Sequence, residues 1–278
     1  MKLSLTLLTL SGVCYSIAFF YHLLSFWGVR EDGYRPASAF MRIGFLIGTF
    51  YFAAEAIEHG FFLPVANFSQ AAAFFAWSLA FVYLVLLVRI QSESFGLILT
   101  PILLFLMGSA AWSAARTGGP AESVLPTLLN PYFTVHIASA FFAYASFAIS
   151  FAAAVLYLMQ HHELKAKHAG KFYHKLPSLE ELERLIYQPI LWGAPLLLAA
   201  VAIGVVWSKS AYGHYWLQDP KTLATAATAF VYLAILYLHY VSAQRGKQPV
   251  VLSVIAFMLV LFSFVGMRFV QGSHNFLQ

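Results

Sequence analysis

Eight apolar runs, each close to the 20 or so residues a helix needs to cross bilayer hydrocarbon, decide what this chain can fold into. They lie at approximately 3–27, 39–59, 67–90, 95–114, 131–160, 187–208, 222–243 and 249–270. In hydrocarbon every backbone N–H and C=O must be bonded within the protein, so runs of this length are helices rather than open sheets. Composition agrees: 61% of the 278 residues are hydrophobic and 10% charged, whereas a soluble domain carries about 25% charged residues. The expected fold is all-α, a polytopic transmembrane helical bundle forming a single integral membrane domain, with four spans in 1–129 and four in 130–278. The 131–160 run exceeds a simple crossing and is expected to tilt or project beyond the bilayer. The first run is too long for a signal peptide and lacks a small-residue cleavage site, so it is read as retained.

The formal net charge of +5 is not gathered into a patch of the kind that binds nucleic acid, and no nucleic-acid partner is expected. The basic residues sort by loop instead. One set of alternate loops has Arg30, Arg35 and Arg42, then Arg89, then Lys165, Lys167, Lys171, Lys175 and Arg184, then Arg245 and Lys247. The opposite set has only Lys2, Arg116, Lys209, Lys221 and Arg268. By the positive-inside rule the first set is cytoplasmic, which puts both termini outside. The longest charged loop, 160–186, then faces the cytoplasm. Ser178 with Glu181 makes a capping box there, and Leu179, Leu182, Leu185 and Ile186 make an apolar stripe, predicting a short amphipathic helix on the membrane surface. The expected location is a bacterial inner (cytoplasmic) membrane, multi-pass.

The connector at 207–221, WSKSAYGHYWLQDPK, falls on the outer side in this topology. A loop that merely joins two helices is short, small and polar. This one holds Trp207, Tyr212, Tyr215 and Trp216 with His214, Asp219, Lys209 and Lys221, a composition suited to a flat, apolar, partly charged ligand. An interfacial aromatic belt has the same composition. Two histidines distant in sequence fall at the same depth: His136, one turn into the fifth span, and His274, in the closing GSHNF. Two more, His22 and His239, fall near the inner face. From Pro220 to His239 is about 28 Å of helix at 1.5 Å per residue.

Paired imidazoles against an aromatic wall suit haem iron, while zinc asks for more ligands in reach. The candidate outer site is therefore His136 and His274 over Trp207, Tyr212, Trp216 and Asp219, with Lys209, Lys221 or Arg116 available to haem propionates. The candidate inner site is His22 with His239. Glu55, Glu58 and His59, near the outer end of the second span, are further functional candidates, with Glu58 and His59 placed to shape the electrostatics of an outer pocket. Cys14, the single cysteine, reads as a small mid-span thiol.

The chain resembles the cytochrome c assembly membrane proteins of the CcsA and HemX-like type, relatives of the tryptophan-rich haem handlers. The resemblance rests on TVHIASAFFAYASF, PSLEELERL, GVVWSKSAYGHYWLQDPK, LYLHY and GSHNF, and more loosely on EHGFFLPVANFSQ and FFAWSL. It implies an outer haem bound by histidines matching His136 and His274, loop residues matching Trp207, Gly213, Trp216 and Asp219, and a membrane-embedded histidine matching His239. This loop has Tyr212, Gln218 and Thr222 in place of two tryptophans and a glutamate, and Gln70 stands where an acid is usual. The implied cargo is non-covalent b-type haem in transit. The implied partners are apocytochrome c and a membrane subunit of the assembly machinery. The implied role is that of an assembly factor more than a self-sufficient enzyme. A haem-binding regulator of tetrapyrrole synthesis and a transporter of a non-haem substrate are the alternatives.

Overall fold

The computed structural model describes residues 2–29, 33–60, 63, 65–87, 93–116, 130–165, 176–215, 219–242 and 246–266. The described residues form helices and their connecting turns, with no strand among them. The helices are α1 (Lys2–Phe26), α2 (Tyr34–His59), α3 (Phe68–Leu87), α4 (Glu93–Ala114), α5 (Pro131–Lys165), α6 (Leu179–Tyr212), α7 (Pro220–Leu236) and α8 (Lys247–Leu261). α7 and α8 continue into short π-helical turns, Tyr237–Val241 and Phe262–Gly266. All eight are long and apolar enough to cross a membrane.

The helices gather into two compact units. The first comprises Met1–Leu128 with Ala169–Pro177, the second Leu129–His168 with Ser178–Gln278. In the first unit α1 packs on α2 and α4, and α3 on α4. Side chain to backbone bonds tie these helices where lipid offers no partner: Ser11 Oγ donates to Gly44 O at 2.8 Å and Ser69 Oγ to Ala110 O at 2.8 Å. Trp77 stacks on Phe45, Phe74 and Phe81 at centroid separations of 5.2, 5.6 and 6.1 Å, and its Nε1 donates to Thr49 Oγ1 at 2.9 Å. These rings lock α2 to α3.

In the second unit α5 and α6 form the most extensive helix pair. The run that makes this possible is dense in small residues, with Ala143, Ala145, Ala148, Ala152, Ala153 and Ala154 all fully buried. Small side chains let helix backbones approach closely, so dispersion can replace the hydrophobic drive that lipid does not supply. Phe147 meets Tyr232 of α7 face to face, with centroids 3.5 Å apart.

Three helix starts follow from their capping residues. Asn130 Oδ1 accepts from Tyr132 N at 2.9 Å ahead of Pro131. Ser178 Oγ accepts from Glu181 N at 3.2 Å, the forward half of the expected capping box. Asp219 Oδ1 accepts from the N–H groups of Lys221 and Thr222 at 2.9 and 3.3 Å.

One element differs from expectation. The turns from Leu179 do not form a separate helix on the membrane surface but run unbroken into the span, making α6 a single 34-residue helix. The cause is packing: Leu182, Leu185, Ile186 and Tyr187 are buried, so the apolar stripe that suggested a lipid-facing surface helix faces protein instead. Pro189 and Pro195 lie inside α6 without ending it.

Candidate functional site

Near the start of α5, His136 lies across α6. Its Nδ1 is 2.7 Å from the carbonyl oxygen of Ala200. A carbonyl only accepts, so Nδ1 must carry the proton, which leaves the lone pair of a neutral ring on Nε2. That is how a ligating imidazole is ordinarily held: one nitrogen donates to the protein while the other faces the metal. The ring sits on Gly204, where an added Cβ would come within 2.7 Å of both Cε1 and Nδ1. One turn before His136, Phe133 packs on Trp207 at 5.0 Å between centroids. Ala200, Gly204 and Trp207 thus form one stripe of α6 that receives one turn of α5. His136 itself is half-buried.

Trp207 is 2% exposed. Its indole is committed to the α5–α6 contact, so what it offers the site is support beneath His136 rather than an open face. Asp219 is 6% exposed and is engaged as the N-cap of α7, which fixes where the loop ends. Gly213 closes α6 in the left-handed conformation, φ +79°, with its N–H bonded to Lys209 O at 2.9 Å. Glycine takes that conformation without the Cβ penalty. The side chains of His214 and Tyr215 are exposed, and Lys209 Nζ lies 3.1 Å from the Tyr215 hydroxyl and 4.7 Å above its ring. Trp216 and His274 lie outside the described residues, as does the Tyr212 side chain.

At the other end of this unit, His239 lies in the π-helical turn that ends α7. Its imidazole stacks on Tyr187 of α6 with centroids 3.5 Å apart and planes 13° apart. From Tyr187 to Trp207, α6 spans 20 residues, about 30 Å, the thickness of a hydrocarbon core. His136 and His239 therefore sit at opposite ends of one crossing.

His22 belongs to the first unit, on α1. It is fully buried, its ring is against Gly96 of α4, and neither ring nitrogen finds a hydrogen-bond partner among the described residues. In the same unit Gln70 Nε2 donates to Glu55 Oε2 at 2.5 Å, while Gln70 Oε1 accepts from Ala66 N at 2.7 Å. Glu55 is 7% exposed, so this pair is a buried polar clamp between α2 and α3. Glu58 is exposed, and the side chain of His59 lies outside the described residues. Arg116 stands 4.1 Å over the Trp112 ring. Among the described residues no group of three or more His, Cys, Asp or Glu side chains comes together to hold a metal ion.

Sequence reading missed Ala200, Gly204, Phe133 and Tyr187. Gly204 had a signal, lying one turn before Trp207 and four residues after Ala200 in a small-residue run. Tyr187 had none, because its stacking partner is 52 residues away.

Eight apolar crossings with imidazoles set near their ends define a multi-pass integral membrane protein. Residues 65–274 match the family described as cytochrome C assembly protein, and the chain belongs to that family. His136, His239 and His274 fall within the match, and His22 falls before it. The chain is 28% identical over 236 residues to the cytochrome c biogenesis protein CcsA of Guillardia theta, covering 79% of this chain and 78% of the relative. It is 29% identical over 234 residues to protein HemX of Brevibacillus brevis, covering 84% of each. Against protein HemX of Bacillus subtilis (strain 168) it is 26% identical over 252 residues, covering 91% and 90%.

Proposed function

We propose that this protein handles haem in the biogenesis of c-type cytochromes, holding it between His136 and His274 on the outer side of a bacterial inner membrane and presenting it to apocytochrome c. The observation that carries the reading is the bond from His136 Nδ1 to Ala200 O. It presets the tautomer whose Nε2 can ligate iron, on a helix pair that ends in the aromatic loop. The outer assignment follows from the loop distribution of Lys and Arg. Haem is the cargo, b-type and not covalently held. Thioether formation needs no nucleophile from this chain: each substrate cysteine adds across a haem vinyl group, its sulfur to one carbon and its hydrogen to the other. The protein's part is ligation and position. A membrane partner subunit holding the apocytochrome completes the assembly. His239 serves as an inner station where haem is taken up, and the whole chain acts as one integral membrane domain.

The similarity to HemX proteins over most of the chain favours a second reading, a haem-binding regulator of tetrapyrrole synthesis. A deletion strain assayed for covalent cytochrome c and for total haem separates the two. Loss of cytochrome c with normal haem synthesis is the expected result. Altered haem synthesis with normal cytochrome c would transfer the assignment to the regulator.

A further inference from the structure

We propose that Tyr187 is a positioning residue for His239, its ring face fixing the plane in which that imidazole meets its ligand. The inference rests on the reading of His239 as an inner haem station and says how that station is built. Three observations support it. The rings are nearly coplanar, 13° apart at a centroid separation of 3.5 Å, so they overlap face to face. Tyr187 is 1% exposed, which makes it the fixed member of the pair, whereas the His239 side chain is half-buried. His239 also belongs to a π-helical turn, Tyr237–Val241, at the end of an otherwise regular helix. Such turns insert an extra residue, redirect the side chains around them and concentrate at functional sites.

Holding an axial imidazole requires control of both its direction and its rotation about the iron–nitrogen axis. The backbone turn supplies the first. A buried aromatic plate against one face supplies the second, because rotating the ring would break the overlap. Tyr240 meets His239 edge to face at 4.7 Å, bounding the ring from a second side. Tyr187 acts through His239 and needs no contact with the iron.

The test uses the full-length protein purified in lipid nanodiscs and titrated with haemin, in a His136→Ala background so that the inner station is read alone. Tyr187→Leu removes the plate, Tyr187→Phe keeps it, and His239→Ala removes the ligand. Stacked pairs of this kind contribute enough that Tyr187→Leu should weaken haemin binding about three- to tenfold. It should also change the rhombicity of the low-spin ferric resonance, which reports imbalance between imidazole orientations and is untouched by a general loss of stability. Tyr187→Phe should match the parent in both. Tyr187→Leu with parental affinity and an unchanged resonance, beside a His239→Ala variant that has lost the signal, would overturn the positioning role while sparing the station. A Tyr187→Phe variant as impaired as His239→Ala would overturn it too, since the plate is still present. A His239→Ala variant that binds haemin like its parent would remove the station and the positioning role together.

Discussion

The two ends of the second helical unit hold their histidines by different means. At one end His136 is hydrogen-bonded through Nδ1 to a backbone carbonyl and seated on a glycine. At the other, His239 is stacked on a buried tyrosine inside a π-helical turn. A hydrogen bond to a carbonyl fixes direction and protonation together, because only one tautomer can make it. A stack fixes the plane of the ring and says nothing about which nitrogen carries the proton. The first end thus has its ring direction and tautomer set by one bond, and the second has its ring plane set by a stack.

The comparison breaks most readily at Gly204. Gly204→Ala puts a methyl group within 2.7 Å of the His136 ring, so the ring or the helix must move and the bond to Ala200 must lengthen. Haemin binding at the His136 end should fall about tenfold, equivalent to about 1.4 kcal/mol, with binding at the His239 end unchanged. A calorimetric or optical titration of each end separately checks this, and equal losses at both ends would mean that the variant had merely loosened the unit. Asp219→Ala is the smaller effect. Its carboxylate caps α7, and losing such a cap costs about 1 kcal/mol. The thermal midpoint should therefore drop slightly while haem ligation stays as in the parent. Lost ligation at an unchanged midpoint would show instead that Asp219 serves the cargo.

The sequence made the crossings legible because period and length leave little choice in lipid. It also placed His136 and His239 near helix ends, since depth along a helix is simple arithmetic. What it hid was contact. Trp207 reads as a member of an exposed aromatic loop, yet three residues after Gly204 it falls on the α6 stripe that α5 covers, and it is buried against Phe133. Asp219 reads as part of a binding wall, yet an acid directly before proline at a helix start is also the signature of a cap, and that is the bond it makes. Gln70 stands where the resemblance implies an acid, and the structure shows it bonded to one, Glu55 on the preceding helix. Leu182, Leu185 and Ile186 announced an apolar stripe correctly, but periodicity cannot tell whether lipid or protein will cover it. Each of these turns on the neighbour a side chain meets, which spacing along one helix does not encode.

The proposed function requires His136 to ligate haem iron. Electron paramagnetic resonance of the purified, haem-loaded protein, in a His239→Ala background that removes the other imidazole, tests it directly. The account predicts a low-spin ferric signal from two imidazoles that converts to high spin in His136→Ala and returns when free imidazole is added. The same low-spin signal with and without the His136 side chain would contradict it.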